Sequence, residues 1–116
     1  MVAMGKDHVQ IINFHPKHYT AIASGQKVST TRWNERVRTG PALFHFEGEP
    51  NNDLHGQVLA VHSHPIATLT PEQAHQPPET DMDNFAAQLR ENYYADMPDT
   101  AIVDVVTISL DPQPQA

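Results

Sequence analysis

Runs of strand-forming residues dominate the chain between Val9 and Leu110, and helical spacing interrupts them only after the first and the fourth run. A parallel α/β fold requires strands and helices in regular alternation, so this order excludes one. The runs are Val9–Phe14, Val28–Arg32, Ala42–Glu47, Gln57–Ile66 and Ala101–Leu110, all rich in β-branched or aromatic residues. The last is apolar on both faces, as a largely buried strand requires. Pro16 with Tyr19, Ile22 and Ala23 at helical spacing predicts a short helix over 16–24, closed by Gly25 as a left-handed cap. Thr70-Pro71-Glu72-Gln73 is a capping box, and the helix it predicts must stop by Pro77-Pro78. Another helix is predicted from Thr80 or Asp81, with Met82, Phe85, Ala86, Leu89 and Tyr93 on one stripe. The 116 residues suffice for one domain and not for two independent cores. The expected class is therefore α+β, mainly β: a small mixed barrel of five to six strands with two or three short helices over residues 9–110. Residues 1–8 and 111–116 are expected to be flexible ends.

Composition narrows the function classes. Apolar types make up 39% and charged types 18%, compatible with a packed core. The absence of cysteine removes disulfides, thiolate metal sites and a cysteine nucleophile, and fits a reducing, cytoplasmic setting. No apolar stretch approaches the roughly 20 residues that span a bilayer, so no membrane partner is expected. The net charge of -7 is unevenly spread. Residues 1–46 hold six Lys and Arg against two acids, whereas residues 47–116 hold Arg90 against twelve. That pattern fits a small cationic pocket on an acidic body, not a broad nucleic-acid-binding face.

The densest chemistry lies in Gly25-Gln-Lys27-Val-Ser29-Thr30-Thr-Arg32. Strand alternation puts Thr30 and Arg32 on one side, and Lys27 at the turn–strand junction can curl toward it. A hydroxyl, an amine and a guanidinium would then supply a nucleophile, a base and an anion clamp, although the same residue types also suit an ordinary solvated strand. Ser29 and Trp33 flank them as candidate substrate contacts, Trp33 either stacking on a base or packing at the edge of the core. His62-x-His64 and His15-x-x-His18 have metal-ligand spacing, but no third ligand stands at a matching interval, and neither metal nor cofactor is expected. Glu79, after Pro77-Pro78, could reach a barrel mouth; Asp81 and Asp83 suit the first turn of a helix.

Taken together, Gly25, Lys27, Thr30 and Arg32, then Gly40, a strand hairpin, the capped turn at Leu69-Thr70, a second helix and a valine-rich last strand resemble the ASCH domain, a small barrel of the PUA-like superfamily. The resemblance covers about residues 9–110. Val28 departs from it, since threonine often stands there, and residues 74–85 align loosely. Short bacterial members include N4-acetylcytidine amidohydrolases, which use a lysine, a threonine and a glutamate. Carried over, these are Lys27, Thr30 and Glu79, with Glu72 as the weaker candidate for the acid and Arg32 as the motif arginine. The resemblance implies hydrolysis of an N4-acylated nucleoside. Thr30 would be the nucleophile, Lys27 the general base, Glu79 an assisting group and Arg32 a clamp on substrate or oxyanion. The alternative it leaves open is a non-catalytic module binding RNA or a nucleotide, with a ribonuclease ranked last. The expected partner is a small nucleoside or an RNA base.

Overall fold

The structure is a computed structural model, and it describes residues 9–111. The expectations for residues 1–8 and 112–116 lie outside the described residues. Five strands form one mixed sheet: β1 (Gln10–Phe14), β2 (Ser29–Arg32), β3 (Gly40–Phe46), β4 (Leu54–Pro65) and β5 (Ile102–Leu110). Their spatial order is β1-β3-β4-β5-β2. Only β1 and β3 are parallel, Gln10 lying beside Ala42 and Phe14 beside Phe46; the other pairs are antiparallel. Two α-helices, α1 (Tyr19–Ala23) and α2 (Met82–Asn92), complete this mainly-β α+β fold.

The sheet curls until its two edge strands meet through side chains. The Arg32 guanidinium on β2 lies 4.7 Å from the centre of the Phe14 ring on β1. Inside the curl, Phe14, Phe44 and Phe46 are fully buried, with Phe14 edge-on to Phe44 at 5.8 Å and stacked on Phe46 at 5.5 Å. Loss of one such ring costs about 3–5 kcal/mol, a large share of a small domain's stability. Val58, Val106 and Ile108 extend this core, while Val103 and Val105, on the other face of β5, join Leu69, Ala74 and Leu89 in a second one. Both faces of β5 are therefore covered, which accounts for its doubly apolar pattern. Midway along β4, a register shift between Val58 and Ala60 opposite β5 leaves Leu59 exposed and bends the long strand.

Local signals held at the helix ends and failed in one helix body. Pro16 opens a 3₁₀ turn, Pro16–His18, that runs into α1, and Gly25 follows at φ 84°. Asp81 caps α2 by accepting from the amides of Asp83 and Asn84 at 3.0 and 3.2 Å. The capping box also forms: Thr70 N–H donates to Gln73 Oε1 at 3.0 Å, and Gln73 N–H to Thr70 Oγ1 at 3.1 Å. No helix grows from it. His75 takes a left-handed φ of 58°, and Pro77-Pro78 supply no amide hydrogens, so the segment stays a set of turns.

Candidate functional site

All four residues of β2 are buried, Ser29 to 4%, Thr30 and Thr31 to 7% and Arg32 to 4% exposure. This excludes the reading of Ser29–Arg32 as a solvated strand, while Lys27 before it is half-buried and Val28 exposed. The cover comes from distant sequence: the turn segment after Thr70, tied by Ser29 Oγ–H donating to the Ala74 carbonyl at 3.4 Å, and the C-terminal half of α2. Between these layers lies a cleft of about 210 Å³. Lys27, Ser29, Thr30 and Thr31 form one wall, and Lys17 and His18 form another. As the terminal strand of the sheet, β2 has an open outer edge, which lets residues of both pleats reach the cleft.

The opposite wall is one face of α2. Phe85, Gln88, Leu89, Asn92 and the following Tyr93 line it, at the i, i+3, i+4, i+7 spacing of a helical stripe. Gln76 completes the rim. Phe85, Leu89 and Tyr93 belong to the apolar stripe expected from the sequence, whereas Gln88 and Asn92 were not singled out there; their amides sharing a face with Phe85 was the available signal. Tyr93 faces the cleft, and its hydroxyl accepts from His15 N–H at 3.1 Å, tying α2 to the 3₁₀ turn. Neighbouring Tyr94 turns the other way.

Thr30 and Arg32 are bound to each other. Arg32 Nε–H donates to Thr30 Oγ1 at 2.9 Å. The rest of the guanidinium is fixed by Glu35 Oε1 at 3.4 Å from Nη1 and by the Phe14 and Tyr93 rings at 4.7 and 5.9 Å. Glu35 in turn accepts a short hydrogen bond from the Tyr94 hydroxyl. Burial, and then that bond, raise the Tyr94 pKa above its ordinary value. Arg32 thus stands behind Thr30 and does not line the cleft. Glu35 was missed in the sequence, although it sits three residues from Arg32 and within reach of it.

Lys27 enters the cleft from the turn after Gly25, its backbone amide held by the Ala21 carbonyl at 2.9 Å. Burial and then the Arg32 charge lower the pKa of its ammonium. Burial, followed by Lys27, Lys17, His15 and Arg32, takes His18 from 6.5 to about 4. At neutral pH His18 is therefore a neutral imidazole.

Several expected residues stand elsewhere. Glu79 is exposed on the turn that follows Pro77-Pro78, and neither it nor Glu72 lines the cleft, so the structure does not bring Glu79 to Lys27 and Thr30. The physical reason is that the tandem proline carries the chain outward and Thr80 N–H turns back onto the Pro77 carbonyl at 3.0 Å. Trp33 packs edge-on against Tyr94 at 5.9 Å, at the margin of the second core and outside the cleft. Among the described residues no three His, Asp or Glu side chains come together as a metal set. His62 and His64 lie on β4 opposite Val105 and Val103, and His15 Nδ1 accepts from Lys17 N–H at 3.0 Å.

A curled mixed sheet of five strands with two helices is consistent with a small PUA-like barrel. Three solved structures share its fold. The chain is similar to the hypothetical protein PH0355 (TM-score 0.65, 14% identity, 90% of this chain and 100% of that one). It is similar to protein EF3133 from Enterococcus faecalis, of the DUF984 family (0.65, 13%, 88% and 79%). An ASCH domain from Lactobacillus crispatus also superposes on it (0.57, 9%, 95% and 85%). The chain has the fold of an ASCH domain, and at these identities the likeness is one of fold. No protein-family model and no curated protein matches the sequence. Among the described residues no helix is long and apolar enough to cross a membrane.

Proposed function

We propose that the chain hydrolyses the exocyclic amide of N4-acetylcytidine or a related N4-acylated cytidine, acting in the cytoplasm without a metal. The observation that carries this reading is the bond from Arg32 Nε–H to Thr30 Oγ1, made beside a lysine of lowered pKa in the same cleft. Arginine can only donate, so it occupies a lone pair of Thr30 and leaves the hydroxyl proton free to go to an acceptor. A neutral Lys27 amine is such an acceptor. Thr30 Oγ attacks the acyl carbon as Lys27 takes its proton. Lys27 then returns that proton to the departing N4 amine as the C–N bond breaks, leaving an ester on Thr30. A water, deprotonated by Lys27, attacks the ester; Lys27 then passes that proton to Thr30 Oγ as the acyl–Oγ bond breaks, releasing the carboxylic acid and regenerating Thr30. Positioned proton transfer of this kind contributes about 10²–10⁴-fold. Gln88 and Asn92 present the donors and acceptors that a cytosine edge requires, and Phe85 and Tyr93 present rings for its faces.

The proton work is assigned to Lys27, because among the described residues no carboxylate lines the cleft. Acetate release from N4-acetylcytidine is the test. Lys27→Ala and Thr30→Ala are expected to lose at least about 100-fold in kcat/KM, and Glu79→Gln and Glu72→Gln to stay near wild type. Full activity in Lys27→Ala would remove the mechanism, and loss of activity in Glu79→Gln would return the acid to it.

The lack of a carboxylate in the cleft also favours a second reading, a module that binds a nucleotide or RNA base without turnover. Binding with no acetate release, weakening steeply with salt, would establish it.

A further inference from the structure

Lys17, His18 and Lys27 line one cleft, and among the described residues no carboxylate lines it with them. This is unusual for the chain, whose net charge is -7. Elsewhere its buried or half-buried cations are matched: Arg32 meets Glu35 at 3.4 Å, and Arg90 meets Asp99 at 2.8 Å. Among the described residues, neither Lys17 nor Lys27 lies within ion-pair distance of an acid. The depression of His18 points the same way, since after burial its largest causes are Lys27 and Lys17, whose fields converge on this wall without a neutralising neighbour. With His18 neutral and Lys27 held as the base, the charge of Lys17 at the mouth of this recess in an acidic body is what selects an anion small enough to enter. An N4-acylcytidine as the bare nucleoside is neutral and would leave that charge unanswered.

We propose that the cleft takes its cytidine as the 5′-monophosphate, with the phosphate on Lys17 at the exposed rim and the base deeper, against Asn92 and Tyr93. The proposal rests on the reading of the cleft as a cytidine site and adds the charge of its ligand. Lys17 suits the role because it is exposed, on a turn fixed by its own amide to His15 Nδ1 at 3.0 Å and by His15 N–H to the Tyr93 hydroxyl at 3.1 Å. Phosphate and base would thus be held by two groups already tied together. Phosphate at the rim also leaves Lys27 to serve as base. A free mononucleotide, not the end of an RNA chain, is the form assigned, because each further phosphate adds negative charge against a chain of net charge -7.

Calorimetric titration of the intact protein with cytidine 5′-monophosphate, cytidine, inorganic phosphate and a 5′-phosphorylated trinucleotide led by cytidine tests this. The monophosphate is expected to bind at least about tenfold tighter than cytidine, equivalent to about 1.4 kcal/mol. Lys17→Ala should bring the ratio of the two close to one, and Lys17→Arg should restore most of it. Equal affinities for nucleotide and nucleoside, or an unchanged ratio in Lys17→Ala, would overturn the proposal. A trinucleotide binding tighter than the monophosphate would overturn the choice of free nucleotide, and inorganic phosphate binding as tightly as the nucleotide would overturn the role of the base. The two readings fail separately. Tight binding of the monophosphate with no hydrolysis of its N4-acetyl derivative removes only the reaction, whereas hydrolysis of N4-acetylcytidine with no gain from phosphate removes only this inference.

Discussion

Arg32 Nε and Thr30 Oγ1, 2.9 Å apart on one side of β2, couple the buried charge of the domain to a threonine that lines its cleft. The arginine acts on the site in two ways, through this bond and through its charge on Lys27, and substitutions separate them. Arg32→Lys keeps the charge and loses the fork geometry. Its rate is expected to fall roughly 10–100-fold, the range for a hydrogen bond to a developing charge, with the pH profile in place. Arg32→Gln removes the charge as well. Because Arg32 is the second cause of the low Lys27 pKa, after burial, the rising limb of kcat/KM should move to higher pH without reaching the position of a free lysine. A limb that stays put in Arg32→Gln would show that the charge does not act on the base.

Thr30→Val keeps the shape of the side chain and removes its oxygen. Activity on N4-acetylcytidine should vanish, but the variant also leaves the buried Arg32 Nε without its acceptor, at about 1–3 kcal/mol. Thr30→Ser retains both functions, so it should keep wild-type stability and activity within about tenfold. Equal loss in the two variants would mean that the hydroxyl alone does not account for the role of Thr30.

The low pKa of His18 makes stability depend on pH in a defined direction. The unfolded chain takes up a proton near 6.5, the folded chain only near 4. Stability from keeping the imidazole neutral is thus complete above the upper value and is lost as pH falls toward the lower one. Thermal unfolding between those limits should show a steeper decline for wild type than for His18→Gln. Parallel curves would rule out His18 as the source.

At Gly56, where β4 crosses between β3 and β5, a methyl group would sit 2.3 Å from the Ser109 carbonyl oxygen and 2.6 Å from Phe44 Cε2. Neither backbone nor buried ring can retreat freely. Gly56→Ala is expected to lose about 1–3 kcal/mol in urea unfolding, and unchanged stability would show that the crossing is looser than this spacing implies.

Much of the architecture was readable locally. Alternation in Ala42–Phe46, the glycine at 25 and the Asp81 cap each depend on neighbours a few residues away, and each appears where its chemistry asks. The Thr70–Gln73 box shows the limit of that reading: its two bonds form, but a cap starts a helix only if the following residues can continue it, and His75 and the tandem proline cannot.

The amino-acid order by itself determined the set of strands, the cationic first half and the motif that gathers Lys27, Thr30 and Arg32. Only tertiary structure decided that this strand is buried, that Arg32 stands behind Thr30 and not in the cleft, that Glu35 is the acid beside the arginine while Glu79 lies outside the cleft, and that Gln88, Asn92 and Tyr93 line the same cleft as the lysine. The reason is the sheet's curl. It brings a helix some sixty residues away over the edge of β2, and although the helical stripe can be read in the chain, nothing in the stripe says which strand it will cover.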